Sequence, residues 1–329
     1  MNWGIIGLGN IARRFADSLS QNKEATLYAI ASRTKEKRNE FAKTYAIKTV
    51  YESYEALLND SNLDIVYIAL PHAMHKEYSI KALKRGLAVL SEKPGALNKK
   101  DLEEVVSMAK ENNLFYMEAI KGRFVPLMKD IKEVIHSGIL GDILEVKADF
   151  NSLIPTDLIQ SNHYIVDPVQ GGAMYDVGIY PVNFVIDVFG KDIKNISSVI
   201  KKYKEYQIDG YFMIELLYQN GMKAIVEGAL DRNGKKEAII IGTKGKMIIP
   251  RYYRCEEFYV ELNDGTSFHK QKPFLIDDMA YEITEVETCL KNQQIQSDKL
   301  SFEDSLFMMG VLDTARSNAK DYSESYILL

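Results

Sequence analysis

The chain is 329 residues long, 46% hydrophobic and 26% charged, with a formal net charge of −5. These values suit a globular protein large enough for two domains, and a negative balance without a long basic run argues against nucleic acid as a main partner. Two cysteines, Cys255 and Cys289, are too few for a disulfide framework and fit a reducing compartment. No apolar stretch reaches membrane-spanning length and the N-terminus enters a strand pattern rather than a leader, so a cytoplasmic protein with no membrane partner is expected.

The apolar run at residues 2–6 flows into Gly7-Leu8-Gly9-Asn10-Ile11-Ala12 and then a helical pattern through Leu19. Strand, tight glycine turn and helix N-terminus form the dinucleotide fingerprint G-x-G-x-x-G/A in its required context. Gly7 permits the turn, Gly9 lets the backbone approach a pyrophosphate, and Ala12 allows close helix–strand packing. The free N–H groups at Asn10 and Ile11 face the phosphates with the positive end of the helix dipole. A second strand is predicted at 26–31, a helix at 35–45, and a strand at 64–70, nearly all apolar as for a parallel strand buried on both faces. A helix at 74–85 stopped by Gly86, a strand at 88–91, a helix at 99–112 and a strand at 114–118 complete an α/β, doubly wound N-terminal Rossmann domain over residues 1–121.

Beyond it the pattern changes. Residues 125–136 read as a helix, 143–151 as a strand and 174–188 as a helix. Strand patterns follow at 193–202, 210–218, 223–228, 237–241, 246–249 and 258–262, with hairpin turns at Asn220-Gly221 and Asp264-Gly265. Helices at 275–291 and 302–318 end the pattern. Residues 122–329 are therefore expected to form an α+β domain with a large, mainly antiparallel open sheet. Its uncovered face suits a homodimer or a higher homo-oligomer.

An NAD-binding domain places an acid about 20 residues past the glycine motif, on the ribose 2′-hydroxyl. Here that region holds Ser32 and Arg33. Arg33 suits a bidentate contact with a 2′-phosphate, Ser32 offers a hydroxyl, and Lys37 lies one helical turn on, with Arg38 a weaker candidate. NADP is expected over NAD, with NAD also possible. His72-Ala73-Met74-His75 has H-x-x-H spacing but no third ligand in register, and no metal is expected.

Two further motifs carry a resemblance. One is Ser91-Glu92-Lys93-Pro94-Gly95-Ala96-Leu97-Asn98. The other runs from Asp167-Pro168 through Gly171-Gly172 and Asp176 to Tyr180-Pro181. With the N-terminal fingerprint, they resemble the Gfo/Idh/MocA oxidoreductase family over the whole chain. Residues 117–126 and the tyrosine at 180 resemble its dimeric dihydrodiol dehydrogenase and sugar dehydrogenase branch. The resemblance implies a cofactor side that includes Leu70, His75, Glu92 and Lys93, and a cis bond before Pro94. It also implies catalytic roles for Lys93, Asp176 and Tyr180. Residue chemistry agrees: an ammonium at a strand C-terminus stabilises phenolate, which in a free tyrosine forms only near pH ~10. Asp176 and Tyr180, four apart, share one face of a helix. The implied activity is hydride transfer between NADP and a secondary alcohol or carbonyl of a sugar, polyol or trans-dihydrodiol. Two other uses of the same fold are an NADP-sensing regulator without catalysis and a nicotinamide-dependent glycosidase; retention of Lys93, Asp176 and Tyr180 argues against the sensor. The chain departs from the branch at His163, where relatives often carry an arginine and an aromatic, and at Lys121, where a bulky aromatic is typical. Arg123 suits either a structural or a substrate-side role.

Overall fold

A computed structural model describes residues 1–160, 163–203 and 206–322. In chain order the elements begin with β1 (Asn2–Ile6), α1 (Asn10–Ser20), β2 (Thr26–Ala31), α2 (Lys35–Thr44), β3 (Thr49–Tyr51) and α3 (Tyr54–Leu58). Next come β4 (Ile65–Ile68), α4 (His75–Lys84), β5 (Ala88–Ser91), α5 (Lys99–Glu111), β6 (Tyr116–Glu118) and α6 (Leu127–His136). They are followed by β7 (Ile143–Asn151), α7 (Thr156–Gln160), α8 (Ala173–Asp176), α9 (Ile179–Phe189), β8 (Ile193–Tyr203), β9 (Ile208–Tyr218) and β10 (Lys223–Ala229). The last are β11 (Glu237–Gly242), β12 (Gly245–Pro250), β13 (Glu257–Leu262), β14 (Ser267–Gln271), α10 (Asp278–Lys291), α11 (Phe302–Asn318) and β15 (Lys320–Asp321).

The chain divides into two compact units. The first is Met1–Phe124 with Leu275–Leu306, and the second is Val125–Phe274 with Phe307 onward. The first holds a six-stranded sheet in the order β3-β2-β1-β4-β5-β6, with every pairing parallel. The strand order reverses between β1 and β4, the point at which doubly wound sheets open a ligand crevice at their carboxyl ends. The central strands are sealed: Ile5, Ile6, Ile65, Val66, Tyr67, Ile68, Val89 and Leu90 are all buried completely. The edge strand β3, not among the expected elements, is only three residues long and too short to show a period.

The second unit holds a nine-stranded sheet in the order β14-β13-β12-β11-β7-β10-β9-β8-β15. It is mainly antiparallel, but β7 runs parallel to β10 and β15 parallel to β8. Burial alternates along β9, β10, β11 and β12, so one face is core and the other is half open. Helix α9 packs against the core face at β7 and β10. The strand β14 escaped the sequence reading because Ser267–Gln271 is exposed throughout and carries no apolar alternation. Its anchor is ionic: Lys270 and Lys272 reach the carboxylate of Asp130 at 2.5 and 2.7 Å.

Two expectations change. The helix expected at 174–188 is broken into α8 and α9, because Pro181 has no N–H to donate to Val177 and fits only within the first turn of a new helix. The boundary at 121/122 assigned everything beyond it to one unit, whereas residues 275–306 belong with the first. Helix α10 packs on α1 and on the 3-10 turn Lys121–Arg123. Arg14 of α1 forms ion pairs with Asp277 at 2.9 Å and Asp278 at 2.6 Å. The backbone N–H of Tyr116, on the edge strand β6, donates to the carbonyl of Ile295 at 3.1 Å.

A fragment ending at Phe124 should therefore lack a cooperative melt, because it bares α1 and the β6 edge. Joining residues 275–306 to it through a flexible linker should restore one. Differential scanning calorimetry of the two fragments checks this, and a sharp transition in the shorter one would contradict it.

Candidate active site

The first unit brings most of the expected cofactor residues to one edge, because each follows the carboxyl end of a parallel strand. Gly7, Gly9, Asn10 and Ile11 follow β1, Ser32 and Arg33 follow β2, Leu70 and His75 follow β4, and Glu92 and Lys93 follow β5. Gly7 has φ +87°, and a Cβ there would stand 2.3 Å from the carbonyl oxygen of Ala69, so this position accepts only glycine. Gly9 caps α1 with no side-chain hydrogen bond, and no acid lies in the first turn. A Cβ on Gly9 would meet nothing within 4 Å. Open space over uncapped helix N–H groups fits an anion such as a pyrophosphate.

At the β2 end the cations divide by burial. Arg33 and Lys37 are exposed, whereas Arg38 is buried. Arg38 donates to the carbonyls of Ser32 at 2.7 Å and Arg33 at 3.3 Å, and to Glu52 at 2.8 Å. It braces the turn, while Arg33 and Lys37 remain accessible to a 2′-phosphate. Ser32 is largely buried, and its hydroxyl accepts the N–H of Thr34 at 3.3 Å.

The loop after β5 is fixed from three directions. Glu92 accepts the hydroxyl of Tyr67 at 2.5 Å and the N–H of Lys93 at 3.2 Å. The Lys93–Pro94 bond is cis, as the resemblance implies. Glu118, at the end of the neighbouring strand β6, accepts the N–H of Gly95 at 2.7 Å. Burial pushes its carboxyl up from the ordinary value. His75, expected to line the cofactor cleft, is instead completely buried. Its Nδ1 faces the carbonyl of Pro94 and its Nε2 that of Leu70, each at 2.7 Å, and burial holds its pKa down. This side chain ties the loops after β4 and β5 together. Both ring nitrogens thus face backbone carbonyls, and the neutral ring donates its single N–H to one of them. Among the described residues, no cluster of three or more His, Cys, Asp and Glu is arranged to hold a metal ion.

Lys121 and Arg123 also resolve into packing roles. Lys121 is buried 4.0 Å from Asp278. Arg123 donates to the carbonyl of Lys299 at 3.0 Å and lies 3.4 Å from Asp304. The two cysteines are free and buried, with burial pushing Cys255 up to about 12 and Cys289 to about 11.

Asp176 and Tyr180 belong to the second unit. Asp176 ends α8 and Tyr180 stands in the first turn of α9, so they flank a break rather than share one continuous helix. The Tyr180 ring stacks on Phe150 of β7, with centroids 4.7 Å apart and planes 15° apart. Tyr253 packs against both, at 4.6 Å from Phe150 and 5.7 Å from Tyr180. His163 caps the short turn Tyr164–Val166. Its pKa is lowered by burial, against the opposing pull of the Asp176 carboxylate. Phe150, Tyr253, Glu118 and the clamp formed by His75 were not legible in sequence. Only a strand-end position marks Glu118, and nothing local marks the others.

The description "Oxidoreductase family, NAD-binding Rossmann fold" (GFO/IDH/MocA) matches residues 1–120, and the GFO/IDH/MocA C-terminal domain matches residues 128–248. Trans-1,2-dihydrobenzene-1,2-diol dehydrogenase of Mus musculus is 31% identical, over 96% of this chain and 96% of its own. The Homo sapiens enzyme of that name is 29% identical with the same coverage. The 3-ketoreductase KijD10 of Actinomadura kijaniata, solved with NADP and TDP-benzene, superposes with a TM-score of 0.90 at 23% identity, covering 98% of each chain.

Proposed function

Since the chain belongs to the GFO/IDH/MocA oxidoreductase family and is an NAD(P)-dependent oxidoreductase, we propose that it acts on a secondary alcohol or carbonyl of a trans-dihydrodiol, sugar or polyol. The carrying observation is the aromatic group of Phe150, Tyr180 and Tyr253, whose Tyr180 lies just along the chain from Asp176. Aromatic faces suit the apolar face of a ring substrate, and a carboxylate suits its hydroxyls. The full-length relatives named for a cyclic trans-diol point to the same class.

The roles follow from the chemistry of each side chain. Gly7, Gly9, Asn10 and Ile11 hold the pyrophosphate, and Ser32, Arg33 and Lys37 hold the 2′-phosphate. Leu70, Glu92 and Lys93 form the nicotinamide side, with His75 acting through the backbone it braces. The bound nicotinamide supplies the capacity to accept or return a hydride. Tyr180 takes the proton of the reacting hydroxyl during oxidation and returns it during reduction. Lys93 contributes positive charge that stabilises the oxygen as it becomes anionic. Asp176 orients the substrate through its other hydroxyls. The buried free thiols suit a reducing, cytoplasmic setting.

The half-open sheet face supports a homodimer. Met213, Ile225, Ile239 and Ile248 lie on it, interleaved with Glu145, Lys147, Glu215 and Lys246. Apolar side chains alternating with both signs of charge across the strands can complement themselves under a two-fold axis. Ile225→Glu should shift light-scattering mass from dimer to monomer; a monomeric parent protein would refute the arrangement.

Arg33→Ala should weaken NADP far more than NAD. A charge-assisted contact is worth about 1.5–3 kcal/mol, or roughly a 10–150-fold rise in the NADP dissociation constant. Calorimetric titration measures it, and tighter binding of NAD than of NADP by the unaltered protein would sink the NADP assignment.

Tyr180→Phe keeps the ring stacked on Phe150 and removes only the hydroxyl. Turnover should fall by about 10²–10⁴-fold while the melting temperature and NADP affinity hold. Steady-state kinetics with a panel of sugars, polyols and dihydrodiols, beside a thermal melt, decide the matter. Near-normal turnover would remove Tyr180 from the mechanism.

A further inference from the structure

The stretch from Gly171 to Tyr180 carries both substrate-side candidates on little regular structure: a four-residue helix, a break and the first turn of α9. A side chain from a different element fixes it. Asp209, on β9, accepts the N–H of Met174 through Oδ2 at 2.6 Å. Its Oδ1 occupies the space beside Gly172, where a Cβ would stand only 2.1 Å away, and Gly172 itself has φ +100°. Position 172 thus excludes any side chain twice over, by backbone conformation and by the carboxylate.

From this anchor the hydrogen bonds run directly to the candidates. The carbonyl of Gly172 accepts the N–H of Asp176 at 3.1 Å. The carbonyl of Ala173 accepts those of Val177 at 2.8 Å and Gly178 at 3.1 Å, and Val177 in turn accepts that of Tyr180 at 3.2 Å. Every link is backbone, so a displacement of the Gly172–Met174 turn is passed along the whole stretch.

We propose that Asp209 is a positioning residue for Asp176 and Tyr180, its carboxylate anchoring the glycine turn from which both project. The proposal rests on the roles given to that pair above.

The groups that face Asp209 are few. Arg316 of α11 acts on it at range, while lying over the Tyr175 ring at 4.3 Å and pairing with Asp313 at 2.5 Å. Lys202 stands opposite it in the β8–β9 ladder with its side chain exposed. Met174 and Asp209's own backbone supply hydrogen bonds that favour the ionised form. Desolvation outweighs all of these and raises the carboxyl from 3.8 to about 7. Between those values the native state keeps a proton that the unfolded chain has released. The contribution of this group to stability is therefore complete below pH 3.8 and is lost as pH rises through about 7.

Three variants test the assignment. Asp209→Ala removes the anchor, and kcat should fall by about 10–100-fold with the NADP dissociation constant within twofold. Asp209→Asn keeps an acceptor for the Met174 N–H and should recover kcat to within threefold, while flattening the fall of melting temperature between pH 4 and 7. If Asp209→Ala does not fold, Asp209→Glu displaces the carboxylate by one methylene and should lower kcat with NADP binding retained. Wild-type kcat in whichever of Ala or Glu folds would overturn the proposal, as would a parallel loss of kcat and NADP affinity. Tyr180→Phe is assayed beside them. If it retains turnover, the reading of the pair fails; if it loses turnover while the Asp209 variants keep theirs, only the anchor fails.

Discussion

A parallel sheet has to be covered on both faces and relieved of its open edges, and the first unit is organised by that demand. Its central strands are fully buried, and its outer helix and edge draw cover from beyond the contiguous run. Residues 275–306 return to supply α10 against α1 and a backbone acceptor for the edge strand β6. Once the sheet is sealed, every loop at its carboxyl edge is held by rigid strands. The side chains of that edge then inherit their positions from the sheet.

Within the edge, the loop after β5 shows how buried polar groups secure a functional turn. Glu118 and His75 both lie in places where an uncompensated polar group costs free energy. Each finds a partner in the backbone of the loops themselves: the Gly95 N–H donates to Oε1 of the carboxylate, and the imidazole, set between the Pro94 and Leu70 carbonyls, donates to one of them. Such bonds are directional, so they specify the loop's path as well as stabilise it. Arg38 does the same at the β2 end, where the carbonyls of Ser32 and Arg33 accept from a buried guanidinium. In both places the buried group braces the loop beside a more exposed neighbour: half-exposed Lys93 in one case, exposed Arg33 in the other.

The second unit solves a different problem. Tyr180 and Asp176 sit at a helix break, where local hydrogen bonding is thin, and they gain definition from other elements. Phe150 and Tyr253 confine the ring, and Asp209 holds the glycine turn.

Much of this was legible from residue order alone. The glycine turn after β1, the missing acid at Ser32-Arg33, and the buried run of β4 are local patterns, each set by sterics or hydropathy over a few residues. They identify a nucleotide-binding parallel sheet and its cofactor without reference to the rest of the chain. The motifs around Lys93 and Tyr180 likewise mark where the chemistry is proposed. What sequence could not decide depends on contacts between residues far apart. The return of α10 to the first unit, the burial of His75 and Arg38, the pinning of Gly95 by Glu118 and of Gly172 by Asp209 each join segments separated along the chain. Polar residues of this kind look alike in sequence whether they face water, a ligand or a backbone carbonyl. Only tertiary packing removes the water and names the partner, and with it the role.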